Sequence, residues 1–216
     1  MPRTPNAARL ALVLACVLLI ALLALQVWTD GPVTRLDLQV TRWLVAHRSA
    51  GLTGFMLLVS AAHQTGWLLA ATALVGAWLA WRRSWPQLAR LAVVPAGMLL
   101  NVGLKNLFQR PRPHLQDPLV QLVTLSFPSG HATASTVFYG TLCALAFGRW
   151  RSRAIRALAL GIASLMVLLV TFSRVYLGAH YVSDVAAGVA VGAICLALFL
   201  APWGSAARPR PEAVAR

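Results

Sequence analysis

The stretch LALVLACVLLIALLALQVWT, residues 10–29, holds 20 residues without an acidic or basic side chain. An α-helix of about that length crosses the ~30 Å hydrocarbon core of a bilayer, at about 1.5 Å per residue. Working outward, comparable runs recur at 49–81, 91–104, 118–148, 157–173 and 185–207, with 33, 14, 31, 17 and 23 residues. The 14-residue run stops at Lys105, but a helix can carry that charge and continue to about Phe108. Six spanning helices are therefore predicted, near 9–28, 55–81, 87–108, 131–148, 154–172 and 181–201, with the start of the second long run as a short interfacial piece. The expected fold is all-α: a six-transmembrane-helix bundle over 1–205, then a disordered tail over 206–216, rich in Pro, Arg and Ala. Val33, Leu36, Val40, Trp43 and Leu44 recur at helical spacing, so 33–48 is expected to form a short amphipathic helix on the membrane surface after the first span. The first run follows Arg3 and Arg9 as a signal peptide would, but its apolar part is too long and no small-residue cleavage site follows. It reads as an uncleaved anchor.

Composition agrees. Of 216 residues, 59% are hydrophobic and 11% charged, and the mean hydropathy is +0.71. A soluble domain averages about 45–50% apolar and about 25% charged, so a disordered chain is excluded and an ordinary soluble domain disfavoured. The net charge is +14, from 19 basic and 5 acidic residues. With a cytoplasmic N-terminus, 12 of the 19 basic residues fall on the cytoplasmic side, among them Arg82, Arg83, Arg149, Arg151, Arg153 and Arg156. Such a bias is the positive-inside pattern, and it accounts for the charge without a nucleic-acid partner. Both termini are then cytoplasmic. The five acids, Asp30, Asp37, Asp117, Asp184 and Glu212, are scattered. Metal-dependent phosphatases and nucleases need clustered carboxylates, so neither a metal nor another cofactor is expected. Cys16, Cys143 and Cys195 lie in apolar runs without a C-x-x-C pair and read as buried thiols.

The outer face carries charge that topology does not require, gathered in 105–131 and 173–184. Charge at a membrane edge is costly unless it is used or paired. Lys105 closes a helix, and Arg112 stands between Pro111 and Pro113, which stiffen the chain. Two cations held in this way suit an oxyanion, and arginine can grip two oxygens at once. Pro128-Ser129-Gly130-His131 precedes an apolar run. A helix starting there points free N–H groups at an anion, with a serine hydroxyl and an imidazole that titrates near neutral pH beside it. Ser173 and Arg174 are followed by His180 and, four positions later, Asp184. On a helix that spacing places His180 and Asp184 on one face. An aspartate behind a histidine fixes its tautomer and leaves the other nitrogen free to attack.

These three stretches, Lys105-x6-Arg112-Pro113, Pro128-Ser129-Gly130-His131 and Ser173-Arg174-x5-His180-x3-Asp184, resemble the three-part signature of the type 2 phosphatidic acid phosphatase superfamily. No signature residue departs from the pattern. The resemblance implies His180 as nucleophile, Asp184 as its orienting partner and His131 as general acid. It implies that Lys105, Arg112, Ser129, Gly130 and Arg174 hold the phosphate. It also implies a metal-independent reaction through a phosphohistidine, acting on a lipid phosphate in the bacterial inner membrane with the site facing the periplasm. Undecaprenyl diphosphate is the first expected substrate; phosphatidylglycerophosphate, phosphatidate and lipid A phosphates stay open. The signature also resembles that of vanadium haloperoxidases, which are soluble, so six spans weigh against that reading. A lipid or anion transporter is the non-enzymatic alternative. It would place its site near the midplane and show repeated halves, and neither is visible here. Residues 114–127 are expected to help shape access to the site. His114 reads as a possible headgroup contact, and His47 and His63 as structural. Gly188 and Gly192 read as a helix-packing signal.

Overall fold

The computed structural model describes residues 5–115, 119–120 and 124–200. Among the described residues there are nine helices and no strand. They are α1 (Pro5–Trp28), α2 (Pro32–Ala46), α3 (Ala50–Ala62), α4 (Thr65–Trp81), α5 (Trp85–Leu91), α6 (Val93–Phe108), α7 (Gly130–Arg149), α8 (Arg153–Tyr176) and α9 (Val182–Phe199). The expected tail over 206–216, and parts of 114–127, lie outside the described residues.

On α1, Leu10, Leu14, Leu18 and Leu22 are each more than half exposed, and on α8 so are Leu158, Leu160, Leu165 and Leu168. Water would penalise such continuous apolar faces, and lipid does not. Four helical stretches are long and apolar enough to cross a membrane: Asn6–Trp28, Trp85–Phe108 (α5 running into α6), Arg153–Tyr176 and Val182–Phe199. The pair α3 and α4, bent by 50°, makes a fifth if it is one span. The chain is thus a multi-pass membrane protein. The expected sixth span, 131–148, forms the 20-residue α7 but does not meet the same standard of apolarity. Its first turns are Gly, His, Ala, Thr and Ser, and they are buried by protein rather than lipid.

Helix α7 packs against α6, α8 and α9. Val93 and Val94 at the start of α6, Ala134 and Val137 of α7, and Val191 and Cys195 of α9 form the main core. Glycines let α9 approach closely. A Cβ at Gly188 would lie 2.5 Å from the Ser129 carbonyl oxygen, and one at Gly192 2.6 Å from the Thr136 Cβ. This is the close packing expected of both positions.

Three elements differ from expectation. The stretch expected as one span over 55–81 is divided: α3 starts at Ala50, where the sequence predicts a short interfacial piece, and the helix breaks at His63–Gln64 before α4. There the His63 ring donates from Nδ1 to the Val59 carbonyl (2.8 Å) and accepts at Nε2 from the Tyr139 hydroxyl (2.7 Å), so the break leaves no ring nitrogen unpaired. Helix α8 runs to Tyr176, beyond the expected end at 172, because Arg174 points into the protein and is 1% exposed. The stretch expected as a surface amphipathic helix forms α2, but its apolar set is divided. Leu36 and Trp43 are exposed, while Val40 and Leu44 pack inward beside the fully buried Asp37 and Thr41.

Candidate active site

A cavity of about 290 Å³ opens where α6, α7, α8 and the α8–α9 loop meet, and Lys105, Arg112, Gly130, His131, Arg174 and His180 line it. Three stretches far apart in the chain thus contribute to one space on one side of the bundle. A larger groove of about 480 Å³ between α7 and α8 is lined almost wholly by apolar residues such as Phe147, Leu160 and Leu168, and holds no ion-binding group.

His180 and Asp184 do meet, though not on one helical face. His180 sits in the loop before Tyr181, which caps α9, and Asp184 lies one turn into that helix. The carboxylate turns back across the cap. Its Oδ2 accepts from the Tyr181 backbone N–H (2.9 Å), from the Ser126 hydroxyl, and from His180 Nδ1 at 3.4 Å. A helix start needs acceptors for its free N–H groups, so one aspartate caps the helix and faces the imidazole. A proton on Nδ1 leaves the lone pair on Nε2. That atom lies 3.1 Å from Arg112 Nη1, which donates to it. Burial pushes the His180 imidazole down to about 3, against the hydrogen bond and charge of Asp184, so the ring is neutral near pH 7.

The cations divide into occupied and open donors. Lys105 Nζ donates to the Leu125 carbonyl and to the Ser126 carbonyl at 3.3 Å. Arg112 donates to the Thr124 carbonyl (2.6 Å), the Thr124 hydroxyl (2.8 Å) and the Ala179 carbonyl. Arg174 gives Nη1 to the Ser60 hydroxyl, whereas its Nε and Nη2 are buried without a partner among the described residues, as is Nε2 of His131. Buried N–H groups of this kind normally find an acceptor. An anion in the cavity would supply several.

Gly130 opens α7 at the cavity wall; a Cβ there would lie 3.3 Å from Asn101 Oδ1. Ser129 is fully buried and does not line the cavity. Its hydroxyl caps α7 by accepting from the Ala132 N–H (3.4 Å), and its own N–H donates to the Asp184 carbonyl (2.9 Å). Asp184 also stays behind the cavity wall. His114 is exposed and His47 bonds the Trp43 carbonyl. Among the described residues, no group of three or more His, Cys, Asp or Glu could hold a metal ion.

The sequence reading missed the groups behind the site. Arg110, one of the charges within 105–131, is 4% exposed and bridges two acids, donating to Asp184 Oδ1 (2.6 Å) and to Asp37 Oδ2 (2.9 Å). Ser126 and Asn101 were also passed over. Asn101 donates to Thr133 Oγ1 (3.0 Å) and to the Pro128 carbonyl (3.3 Å), tying α6 to the start of α7. One signal was available: with five acids in the chain, an aspartate in a surface helix invites a search for its cation.

Comparison with known proteins agrees with this geometry. The profile of the PAP2 superfamily matches residues 85–208. The chain is 31% identical to phosphatidylglycerophosphatase B of Bacillus subtilis over 162 residues, covering 72% of this chain and 77% of that protein. It is 36% identical to decaprenylphosphoryl-5-phosphoribose phosphatase of Mycobacterium tuberculosis over 151 residues, 68% of this chain and 77% of that one. The crystal structure of a transmembrane PAP2-type phosphatidylglycerolphosphate phosphatase from Bacillus subtilis superposes with a TM-score of 0.77 at 28% identity, covering 87% of this chain and 94% of that one.

Proposed function

The chain belongs to the PAP2 superfamily of phosphatases, and from that premise we propose that it hydrolyses a lipid phosphate or diphosphate through a phosphohistidine on His180. The observation that carries this is the set of buried, unpartnered nitrogens, Arg174 Nε and Nη2 with His131 Nε2, in the same cavity as His180. The phosphate of the substrate draws Arg112 from His180 Nε2 and shares its oxygens among Arg112, Arg174, Lys105 and the first N–H groups of α7 near Gly130. Nε2 then attacks phosphorus in line as the bond to the lipid oxygen breaks. His131 gives that oxygen a proton. The carboxylate of Asp184 stabilises the charge that forms on the ring. In the second step water attacks phosphorus, His131 takes its proton, and inorganic phosphate leaves with His180 restored. Ser129 serves in this reading by holding the start of α7 against Asp184, where its neighbouring Gly130 meets the phosphate. The steps need no metal.

We place the site at the outer face of the bacterial inner membrane, with six spans, both termini cytoplasmic and α2 along the outer surface. The lipid chain then stays in the leaflet while its headgroup enters the cavity. Undecaprenyl diphosphate and phosphatidylglycerophosphate both present a terminal phosphate suited to it, and the names of the two relatives support a panel of polyprenyl and glycerolipid phosphates. Phosphatidate and a lipid A phosphate complete that panel. The test is phosphate release by the purified protein in detergent with EDTA present. Turnover of at least one lipid is expected, lost in a folded His180→Ala variant. Strict dependence on added divalent metal, or full turnover in His180→Ala, would overturn the mechanism.

A further inference from the structure

We propose that Asp37 and Arg110 are a positioning pair that keeps Asp184 charged and aimed at His180, an inference that rests on the reading of His180 as nucleophile. All three charged groups are buried, at 2%, 4% and 0% exposure for Asp37, Arg110 and Asp184. Asp184 divides its oxygens: Oδ2 faces His180 and the α9 cap, and Oδ1 faces Arg110. Arg110 spends its other terminal nitrogen on Asp37 at 2.9 Å and lies 4.1 Å over the Tyr181 ring. Asp37 also takes the Ser183 backbone N–H (3.0 Å) and the Ser183 hydroxyl, one residue before Asp184. Neither Asp37 nor Arg110 lines the cavity, so neither meets the substrate.

The electrostatics explain why one cation stands between two acids. Arg110 paired with Asp184 alone would form a neutral couple, whose guanidinium offsets part of the attraction of the carboxylate for a positive ring. Asp37 on the far nitrogen of Arg110 offsets that guanidinium, so the three groups together keep one net negative charge, with Asp184 as the end that faces His180. The guanidinium fork is the group whose shape can bridge both. Asp37 therefore acts through Arg110 and through the start of α9 at Ser183, and it ties α2 to the nucleophile's partner.

The measurement is kcat and KM on a lipid phosphate for Asp37→Asn, Asp37→Glu, Arg110→Lys, Arg110→Gln and the Asp37→Asn/Arg110→Gln double variant, with thermal midpoints beside them. Asp37→Asn is expected to lower kcat about tenfold or more with KM held within about twofold, the scale seen when an outer partner of a site is lost. Asp37→Glu keeps the charge and recovers most of that loss. In the Arg110→Gln background Asp37→Asn costs less than it does in the parent, because the bridge to Asp184 is already cut and only the bonds to Ser183 remain to be lost. Full kcat in Asp37→Asn, additive losses in the double variant, or a kcat that falls only with the folded fraction would each overturn the pair. If Asp37→Asn does not fold, Arg110→Lys decides: one ammonium cannot reproduce the fork, so kcat should fall at constant KM, and full kcat overturns the proposal. Wild type and His180→Ala run in parallel. A turning-over wild type with a dead His180→Ala and an unaffected Asp37→Asn sinks the pair alone, whereas an active His180→Ala sinks the reading beneath it.

Discussion

At the scale of single residues, the two histidines differ in what holds them. His180 has Asp184 and Ser126 on one nitrogen and Arg112 on the other, while His131 has a buried nitrogen with no partner among the described residues. Replacing His131 with Ala should lower kcat by about 10²–10⁴, the usual worth of a placed general acid, with a smaller change in KM. Comparing steady-state rates of the variant and the parent checks it. The pH behaviour follows from burial. His180 is pushed from 6.5 to about 3, so between those values the folded protein binds fewer protons there than the unfolded chain. The group's stabilising contribution is complete above pH 6.5 and is lost as pH falls through that window. The neutral form of His180, the proposed nucleophile, survives in the same window. The acid limb of kcat/KM, corrected for ionisation of the substrate phosphate, should therefore lie well below pH 6.5. A limb at 6.5 would contradict it. Local spacing made these residues readable, since His180 and Asp184 announce themselves four apart. It could not show Arg110 choosing Asp37 as a second partner, because that contact joins segments remote in the chain.

At the scale of elements, the contact between α7 and α9 sets the site. Ser129 begins α7 and donates its N–H to the Asp184 carbonyl, so sliding one helix against the other shifts the capping serine and the acid together. Gly188 allows this approach. Gly188→Ala would put a methyl group 2.5 Å from the Ser129 carbonyl oxygen and 2.8 Å from the Ala132 Cβ. It should cost about 1–3 kcal/mol, as overpacking does, and lower kcat as well. Thermal unfolding in detergent and turnover measure the two effects. A variant as stable and as active as the parent would mean that this seam does not govern the site. Hydropathy located the helices well where lipid surrounds them, as on α1 and α8. It failed at their ends for a physical reason: a run of apolar residues stops at Arg174, but a helix stops only where its hydrogen bonds do. It also underrated α7, whose polar first turns are shielded by protein, a circumstance invisible in a window of residues.

At the scale of the whole molecule, the proposed orientation can be tested directly. With the site outward, His114→Cys should react with a membrane-impermeant maleimide in intact cells, and Arg151→Cys only after lysis. Both positions are exposed. The reverse labelling would turn the molecule over and move the substrate to the other leaflet. Charge bias along the chain is enough to propose this orientation, because it acts on each loop separately during insertion. Apolar runs without charge likewise determined by themselves that the chain enters a bilayer, since the cost of burying charge in hydrocarbon depends only on local composition. Signature spacing singled out the side chains proposed to carry the chemistry. Tertiary structure alone decided that Lys105, Arg112, His131, Arg174 and His180 share one cavity, that the Ser129 hydroxyl faces the first turn of α7, and that Asp37 and Arg110 stand behind Asp184. Those are facts of distance between segments that packing brings together, and no periodicity in a single stretch encodes them.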